Sequence, residues 1–201
     1  MTNKKGQVIV ITGPSGVGKG SILKGAMARD ESLCFSVSAT TRAPRPGEID
    51  GSDYFFIDRE RFERMVEAGE LLEHAQYGGN CYGTPRDALL RRLDEGADVI
   101  LDIDLQGARQ VMKSFPEALF IFILPPDFAT LEKRLTGRGT ETPEKIAVRL
   151  ETARRELECY REFQYVIVNN ALEDAVEDLL AIIRAGRCRC SEYIRREDAI
   201  K

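Results

Sequence analysis

The run Gly13-Pro14-Ser15-Gly16-Val17-Gly18-Lys19-Gly20-Ser21 has the composition of an anion-binding loop. Its glycines let successive backbone N–H groups turn towards one anion, and a helix opening at Lys19 adds the positive end of its dipole. Lys19 supplies a point charge for the β- and γ-phosphates of a nucleoside triphosphate. The usual pattern puts Ser or Thr directly after the lysine. Here Gly20 intervenes, and Ser21 carries the hydroxyl that would face a metal ion. Such a loop speaks for nucleoside triphosphate binding and leaves the acceptor open.

A second set of residues suits a second phosphate. Arg42 and Arg45 lie three positions apart around the proline-stiffened turn Ala43-Pro44-Arg45-Pro46-Gly47. Two guanidinium forks there can grip one phosphate, because their donors match its oxygens bidentately. Tyr54 and Tyr82 offer phenolic donors to complete the cage. Val99-Ile100-Leu101-Asp102 is an apolar strand ending in a carboxylate, where phosphoryl-transfer enzymes place the group that orients Mg²⁺. Strand alternation would put Asp104 on the same face as Asp102. Arg134 and Arg138 stand one helical turn apart and share a face if the helix persists, and Arg149 follows on the next helix. Taken singly, each group has a plainer reading: solvated arginines in a turn, a packed tyrosine, an aspartate capping a helix.

The elements that must position these groups are legible as alternating patterns. Short apolar runs at 7–12, 33–37, 98–103, 118–124 and 164–168 suit strands buried on both faces. Helical patterns fall between them at 19–29, 85–95, 105–114, 128–136 and 172–184. The alternation predicts a doubly wound α/β fold with a parallel sheet of about five strands. Residues 38–84 break the rhythm with turns, short strands at 53–57, 71–77 and 80–83, and a helix near 59–68. The expected organisation is one domain over 1–201, with core segments 1–37, 85–125 and 160–201. A small α+β insertion would occupy 38–84, and a lid region 126–159, whose glycine- and threonine-rich stretch 137–143 is flanked by arginines.

Composition is ordinary for a globular chain of 201 residues, at 43% hydrophobic and 31% charged. A net charge of −4, from 29 basic and 33 acidic residues, argues against bulk electrostatic binding of nucleic acid or anionic membrane. Neither a signal peptide nor a membrane-length apolar run is apparent, and the five scattered cysteines read as reduced thiols. Cys188 and Cys190 lack the partner pair that a zinc site needs. A cytoplasmic protein is expected; monomer and homo-oligomer both remain open.

From Val8 to Ala175 the motifs together closely resemble the guanylate kinase family. The phosphate loop, Ser38-x-x-Thr40-Thr41-Arg42-x-Pro44-Arg45-x-Gly47-Glu48 and Gly51-x-Asp53-Tyr54-x-Phe56 come first. Leu72-Glu73, Asn80-Cys81-Tyr82-Gly83-Thr84, Ile100-Leu101-Asp102-Ile103-Asp104-x-Gln106-Gly107 and Arg138-Gly139-Thr140-Glu141-Thr142 follow in family order. The resemblance implies phosphoryl transfer from ATP-Mg²⁺ to GMP, and to dGMP, giving ADP and GDP. It implies that Arg42, Arg45, Tyr54 and Tyr82 hold the GMP phosphate, and that Ser38 and Thr84 reach the guanine carbonyl oxygen. Glu73 and Asp104 would accept from the ring N–H and the exocyclic amine. Lys19, Arg42, Arg138 and Arg149 would be catalytic. Arg134 and Asn169 would lie on the ATP side with the loop residues 13–21, although Asn169-Asn170 is equally turn chemistry.

The chemistry is coherent on its own terms. Guanine presents two adjacent donors that a carboxylate matches, whereas adenine presents an acceptor at the equivalent ring nitrogen. His74, the only histidine, is unnecessary as a base, because the acceptor oxygen of GMP is already anionic. The alternative reading is an inactive guanylate-kinase-like interaction module. The retained Lys19 and lid arginines speak against it.

Overall fold

The computed structural model describes residues 5–137 and 143–189. Arg138, the stretch 139–142, Cys190 and the tail beyond it lie outside the described residues. In chain order the elements begin β1 (Val8–Thr12), α1 (Lys19–Met27), β2 (Leu33–Phe35), β3 (Ser38–Thr40), β4 (Tyr54–Phe56) and α2 (Arg59–Glu67). They continue with β5 (Leu71–Tyr77), β6 (Asn80–Pro85), α3 (Arg86–Asp94), β7 (Asp98–Asp102), α4 (Leu105–Ser114) and β8 (Leu119–Leu124). Last come α5 (Phe128–Thr136), α6 (Pro143–Glu158), a short 3₁₀ turn, β9 (Tyr165–Val168) and α7 (Leu172–Gly186).

The main sheet has five parallel strands in the order β2-β7-β1-β8-β9. Its central strand β1 is buried along its whole length, as a strand covered on both faces must be. Ile9 and Ile11 point to one side, packing with Ile22, Leu179 and Ile183 of α1 and α7. Val8 and Val10 point to the other, packing with Leu89, Leu93 and Val111 of α3 and α4. Leu131, Leu135 and Ala153, from the 126–159 segment, belong to the first of these cores. The doubly wound expectation holds. After β7 the chain crosses β1 to build the other half of the sheet, and the glycine loop leaves the carboxyl end of β1 at that reversal, where ligands bind in such folds.

Residues 38–85 form a second sheet in the order β4-β3-β6-β5. β3 pairs parallel with β4 (Ser38 opposite Tyr54) and antiparallel with β6 (Thr40 opposite Tyr82). β5 and β6 form a hairpin closed by Gly78 and Gly79, whose φ values of 57° and 81° suit the tight turn of a two-residue loop. Two differences from the sequence expectation appear here. Ser38–Thr40, placed among turns by its composition, is a strand, because Ala39 packs with Phe62 and Leu71 beneath the small sheet. β6 extends two residues beyond Gly83, to Pro85. The small sheet is fixed to the core by Gln110 of α4. Its Oε1 accepts from the backbone N of His74 at 3.1 Å and its Nε2 donates to the backbone O of His74 at 2.7 Å. No helix among the described residues is long and apolar enough to cross a membrane.

Candidate active site

The loop from Gly13 to Gly18 turns on positive φ angles at Gly13 (151°), Gly16 (84°) and Gly18 (101°). At Gly18 a side chain would be strained by the positive φ, and its Cβ would lie 2.3 Å from Nδ2 of Asn169 and displace that amide. Lys19 opens α1 and folds back over the loop, its Nζ donating to the carbonyl of Gly13 at 2.8 Å. The same ammonium lies 3.8 Å from Asp102 at the end of β7. Enclosure by the cleft raises the pKa of Asp102, and Lys19 opposes that rise. From α6, Arg149 donates to Oγ of Ser15 and so closes onto the loop.

On the outer side of the loop, Val17 is held from behind. Its carbonyl accepts from Nδ2 of Asn169 at 2.7 Å and from Arg134 at 3.1 Å, and Arg134 also donates to the carbonyl of Asn169 at 3.1 Å. Asn169 and Arg134 therefore brace the phosphate loop. With Gly16, Gly18, Ser21 and Asn170 they line a groove of about 440 Å³ next to the loop. Ser21 and Asp102, both expected on the metal side, line different cavities.

Across the cleft from the loop, a cavity of about 210 Å³ is lined by Ser38, Tyr54, Glu73, Tyr82, Asp102 and Asp104, among others. Three carboxylates line it, Glu73, Asp102 and Asp104. Glu73 is buried, 4% exposed, and burial pushes its pKa up to about 7, with Asp104 adding to the rise and the Thr84 hydrogen bond opposing it. Asp104 caps α4, its Oδ1 accepting from the N–H of Gly107 at 2.8 Å. β7 ends at Asp102, so Asp104 is a helix cap and not the next same-face residue of the strand, though both line the cavity. A Cβ on Gly107 would sit 2.6 Å from Oε2 of Glu73, so glycine alone lets α4 approach the carboxylate.

The structure moves three expected contacts. Thr84 is fully buried behind Glu73 and spends its hydroxyl hydrogen on Oε1 of that residue at 2.7 Å, so it positions the carboxylate and does not line the cavity. Arg45 is exposed in the turn, and its backbone is engaged with Glu48, the N–H donating to the carboxylate at 2.7 Å and the carbonyl accepting from the Glu48 N–H at 3.0 Å. Asn169 uses its amide on the loop carbonyl, a role that neither the adenine-contact nor the turn reading anticipates. Arg42 packs against the aromatic residues of the small sheet. Its guanidinium lies 5.3 Å from the Tyr54 ring centre and 5.7 Å from that of Phe56, and Tyr82 stacks edge-on against Tyr54 at 6.3 Å.

Two acidic residues went unassigned in the sequence. Glu48 forms a two-pronged bond with Arg42; its signal was its place at the end of the arginine-bearing turn. Glu156 on α6 feels the charges of Lys19 and Asp104, and burial raises its pKa. It lies seven residues, two helical turns, beyond Arg149 on the same helix face, a spacing readable in advance.

A glycine loop opening a helix after the central strand, beside a cavity lined by carboxylates and phenols, has the layout of a P-loop enzyme of the nucleoside monophosphate kinase class. A family model described as guanylate kinase matches residues 5–186. A guanylate kinase of Trichodesmium erythraeum is 52% identical over 178 residues, 89% of this chain and 96% of the relative. One of Halalkalibacterium halodurans is 47% identical over 196 residues, 98% of this chain and 96% of the relative. A solved guanylate kinase from Anaplasma phagocytophilum superposes with a TM-score of 0.73 at 36% identity, covering 93% of this chain and 89% of that one. The chain belongs to the guanylate kinase family. It phosphorylates GMP at the expense of ATP.

Proposed function

We propose that the 210 Å³ cavity is the GMP site, with Glu73 and Asp104 reading the base and Arg42, Tyr54 and Tyr82 holding the phosphate. The observation that carries this reading is that Glu73 and Asp104 line one cavity with the phenols Tyr54 and Tyr82, and that the Arg42 guanidinium lies 5.3 Å from the Tyr54 ring. Glu73 accepts from the guanine ring N–H. Asp104 keeps Oδ2 for the exocyclic amine while Oδ1 caps α4. Ser38 meets the guanine carbonyl, and Thr84 holds Glu73 from behind. dGMP fits the same account, because no group assigned here depends on the ribose 2′-hydroxyl.

On the donor side, the loop amides and Lys19 hold the ATP phosphates. The ammonium of Lys19 has three hydrogens, of which one goes to Gly13, so others remain for phosphate oxygens. Arg149, already on the loop at Ser15, meets the charge that spreads over the transferring phosphoryl group, and Arg138 from the lid does the same. A divalent ion fits beside Asp102, since Mg²⁺ takes one or two carboxylates plus substrate phosphates and keeps its waters. Bound with ATP, Mg²⁺ would neutralise charge on the β- and γ-oxygens. The GMP phosphate oxygen attacks the γ-phosphorus, the bond from that phosphorus to the β–γ bridging oxygen breaks, and ADP leaves with that oxygen. Cys34, Cys81, Cys159 and Cys188 are unpaired thiols, which fits work in the reducing cytoplasm.

The test is acceptor activity with IMP, which keeps the ring N–H and the carbonyl but lacks the exocyclic amine. Steady-state kcat/KM should fall by about 10-fold to 10²-fold relative to GMP, since the Asp104 carboxylate loses a charge-assisted hydrogen bond. Equal activity with IMP and GMP would remove Asp104 from the base-reading role.

A further inference from the structure

Arg42 does not stand alone beside Tyr54. Its Nη1 and Nη2 each donate to one oxygen of Glu48 at 2.9 Å, and Nη1 also donates to the carbonyl of Ala43 at 2.7 Å. The carboxylate of Glu48 takes a further bond, from the backbone N–H of Arg45 at 2.7 Å. Pro46 and Gly47 make this possible. Gly47 has φ 89°, and the N–H of Glu48 bonds to the carbonyl of Arg45 at 3.0 Å, as in a turn with proline second and glycine third. Both partners are largely enclosed, with 14% of the Arg42 side chain and 19% of that of Glu48 exposed.

The donor count decides what this pair is for. A guanidinium has five N–H hydrogens fixed in one plane. Glu48 takes the outer fork, one hydrogen from each Nη, and Ala43 takes the second hydrogen of Nη1. The hydrogens these two partners do not take are on Nε and Nη2, side by side along one edge of the plane. That edge is the other geometry in which arginine grips a phosphate with two parallel bonds. The plane is held at 5.3 Å and 5.7 Å from the rings of Tyr54 and Phe56. Contact with Glu48 first, and with the Tyr82 phenol, raises the pKa of Arg42, so the cation and the cavity-lining phenol are neighbours.

We propose that Glu48 is a positioning residue for the acceptor phosphate: it occupies the outer fork of Arg42 and orients the Nε–Nη2 edge towards the GMP phosphate beside Tyr54 and Tyr82. Glu48 touches no substrate. It removes the rotamer freedom that Arg42 would otherwise lose on binding. Its charge is compensated in the free enzyme by the arginine it holds. This role rests on the assignment of Arg42 to the GMP phosphate.

The experiment compares Glu48→Ala, Glu48→Gln, Arg42→Lys and the Glu48→Ala/Arg42→Lys double variant in the full chain, by steady-state kinetics and thermal unfolding. Guanosine serves as a competitive inhibitor that lacks the phosphate. Glu48→Ala should raise KM for GMP about tenfold. KM for ATP and the inhibition constant of guanosine should stay within about twofold. Glu48→Gln, which can still accept from Arg45 and from one nitrogen of Arg42, should recover part of the loss. In the Arg42→Lys background, Glu48→Ala should add less than about twofold, because lysine has no fork to orient. Parallel weakening of GMP, ATP and guanosine would mean a merely structural turn and overturn the proposal. So would an undiminished Glu48→Ala effect in the Arg42→Lys background. If Glu48→Ala does not fold, Glu48→Gln carries the comparison: no change in KM for GMP from a folded Gln variant overturns the charge-dependent role. If Arg42→Lys alone leaves KM for GMP unchanged, the phosphate assignment fails first and takes this proposal with it.

Discussion

The hydroxyl of Thr84 donates to Oε1 of Glu73 across 2.7 Å, with both side chains buried at the junction of the small sheet and the core. That bond fixes the carboxylate but does not keep it charged, because burial outweighs it and the pKa of Glu73 stands at about 7.

A pH dependence with a definite sign follows. The unfolded chain loses this proton near 4.5 and the folded chain near 7, so the folded state holds the extra proton between those values. Stability therefore falls as pH rises across that window, by about 3 kcal/mol in total. Glu73→Gln should flatten this part of the curve, read by thermal unfolding at pH 5 and pH 8. Binding runs the other way. Guanine donors require the ionised carboxylate, so KM for GMP should fall as pH rises from 6 to 8. In Glu73→Gln the slope centred near 7 should disappear, leaving the second ionisation of the GMP phosphate near ~6.

Asn169 tests the brace behind the phosphate loop. Asn169→Ala removes the 2.7 Å bond to the Val17 carbonyl and leaves that oxygen to Arg134. The expected cost is about 1–2 kcal/mol in urea unfolding. KM for ATP should rise several-fold while KM for GMP stays close to wild type. A matching rise in both would show that the brace supports the whole cleft and not the loop.

Lys19 and Arg149 both reach the loop, one at Gly13 and one at Ser15. Lys19→Met and Arg149→Ala should each lower kcat by about 10²-fold or more, as removal of a fixed cation at a developing charge does. Both variants should melt near the wild-type temperature. Unchanged kcat in Arg149→Ala would reduce that arginine to an anchor for α6.

The sheet was readable because each of its strands is a short apolar run, and the three central ones, β7, β1 and β8, are buried along nearly their whole length. β3 was not: three residues, Ser38–Thr40, become a strand through partners at Tyr54–Phe56 and Tyr82–Gly83 that local sequence does not announce. The glycine loop, Arg42 and the Glu73–Asp104 pair were legible from residue type and from family resemblance. The supporting contacts were less so. Thr84 and Asn169 are short polar side chains whose partners lie 11 and 152 residues away, so their roles emerge only when the fold brings those partners within hydrogen-bond reach. Arg45 shows the converse: its type fits the chemistry, but it is the backbone of Arg45, N–H and carbonyl, that the turn engages with Glu48.

The most direct measurement is ADP release by the purified chain with ATP and Mg²⁺ against GMP, AMP, UMP and CMP, repeated with Glu73→Gln. The account predicts turnover with GMP, AMP poorer by about 10³-fold or more, and most of that margin lost in the variant. Comparable activity with AMP in the wild-type chain, or a margin untouched by Glu73→Gln, would contradict the reading of guanine by the buried carboxylate.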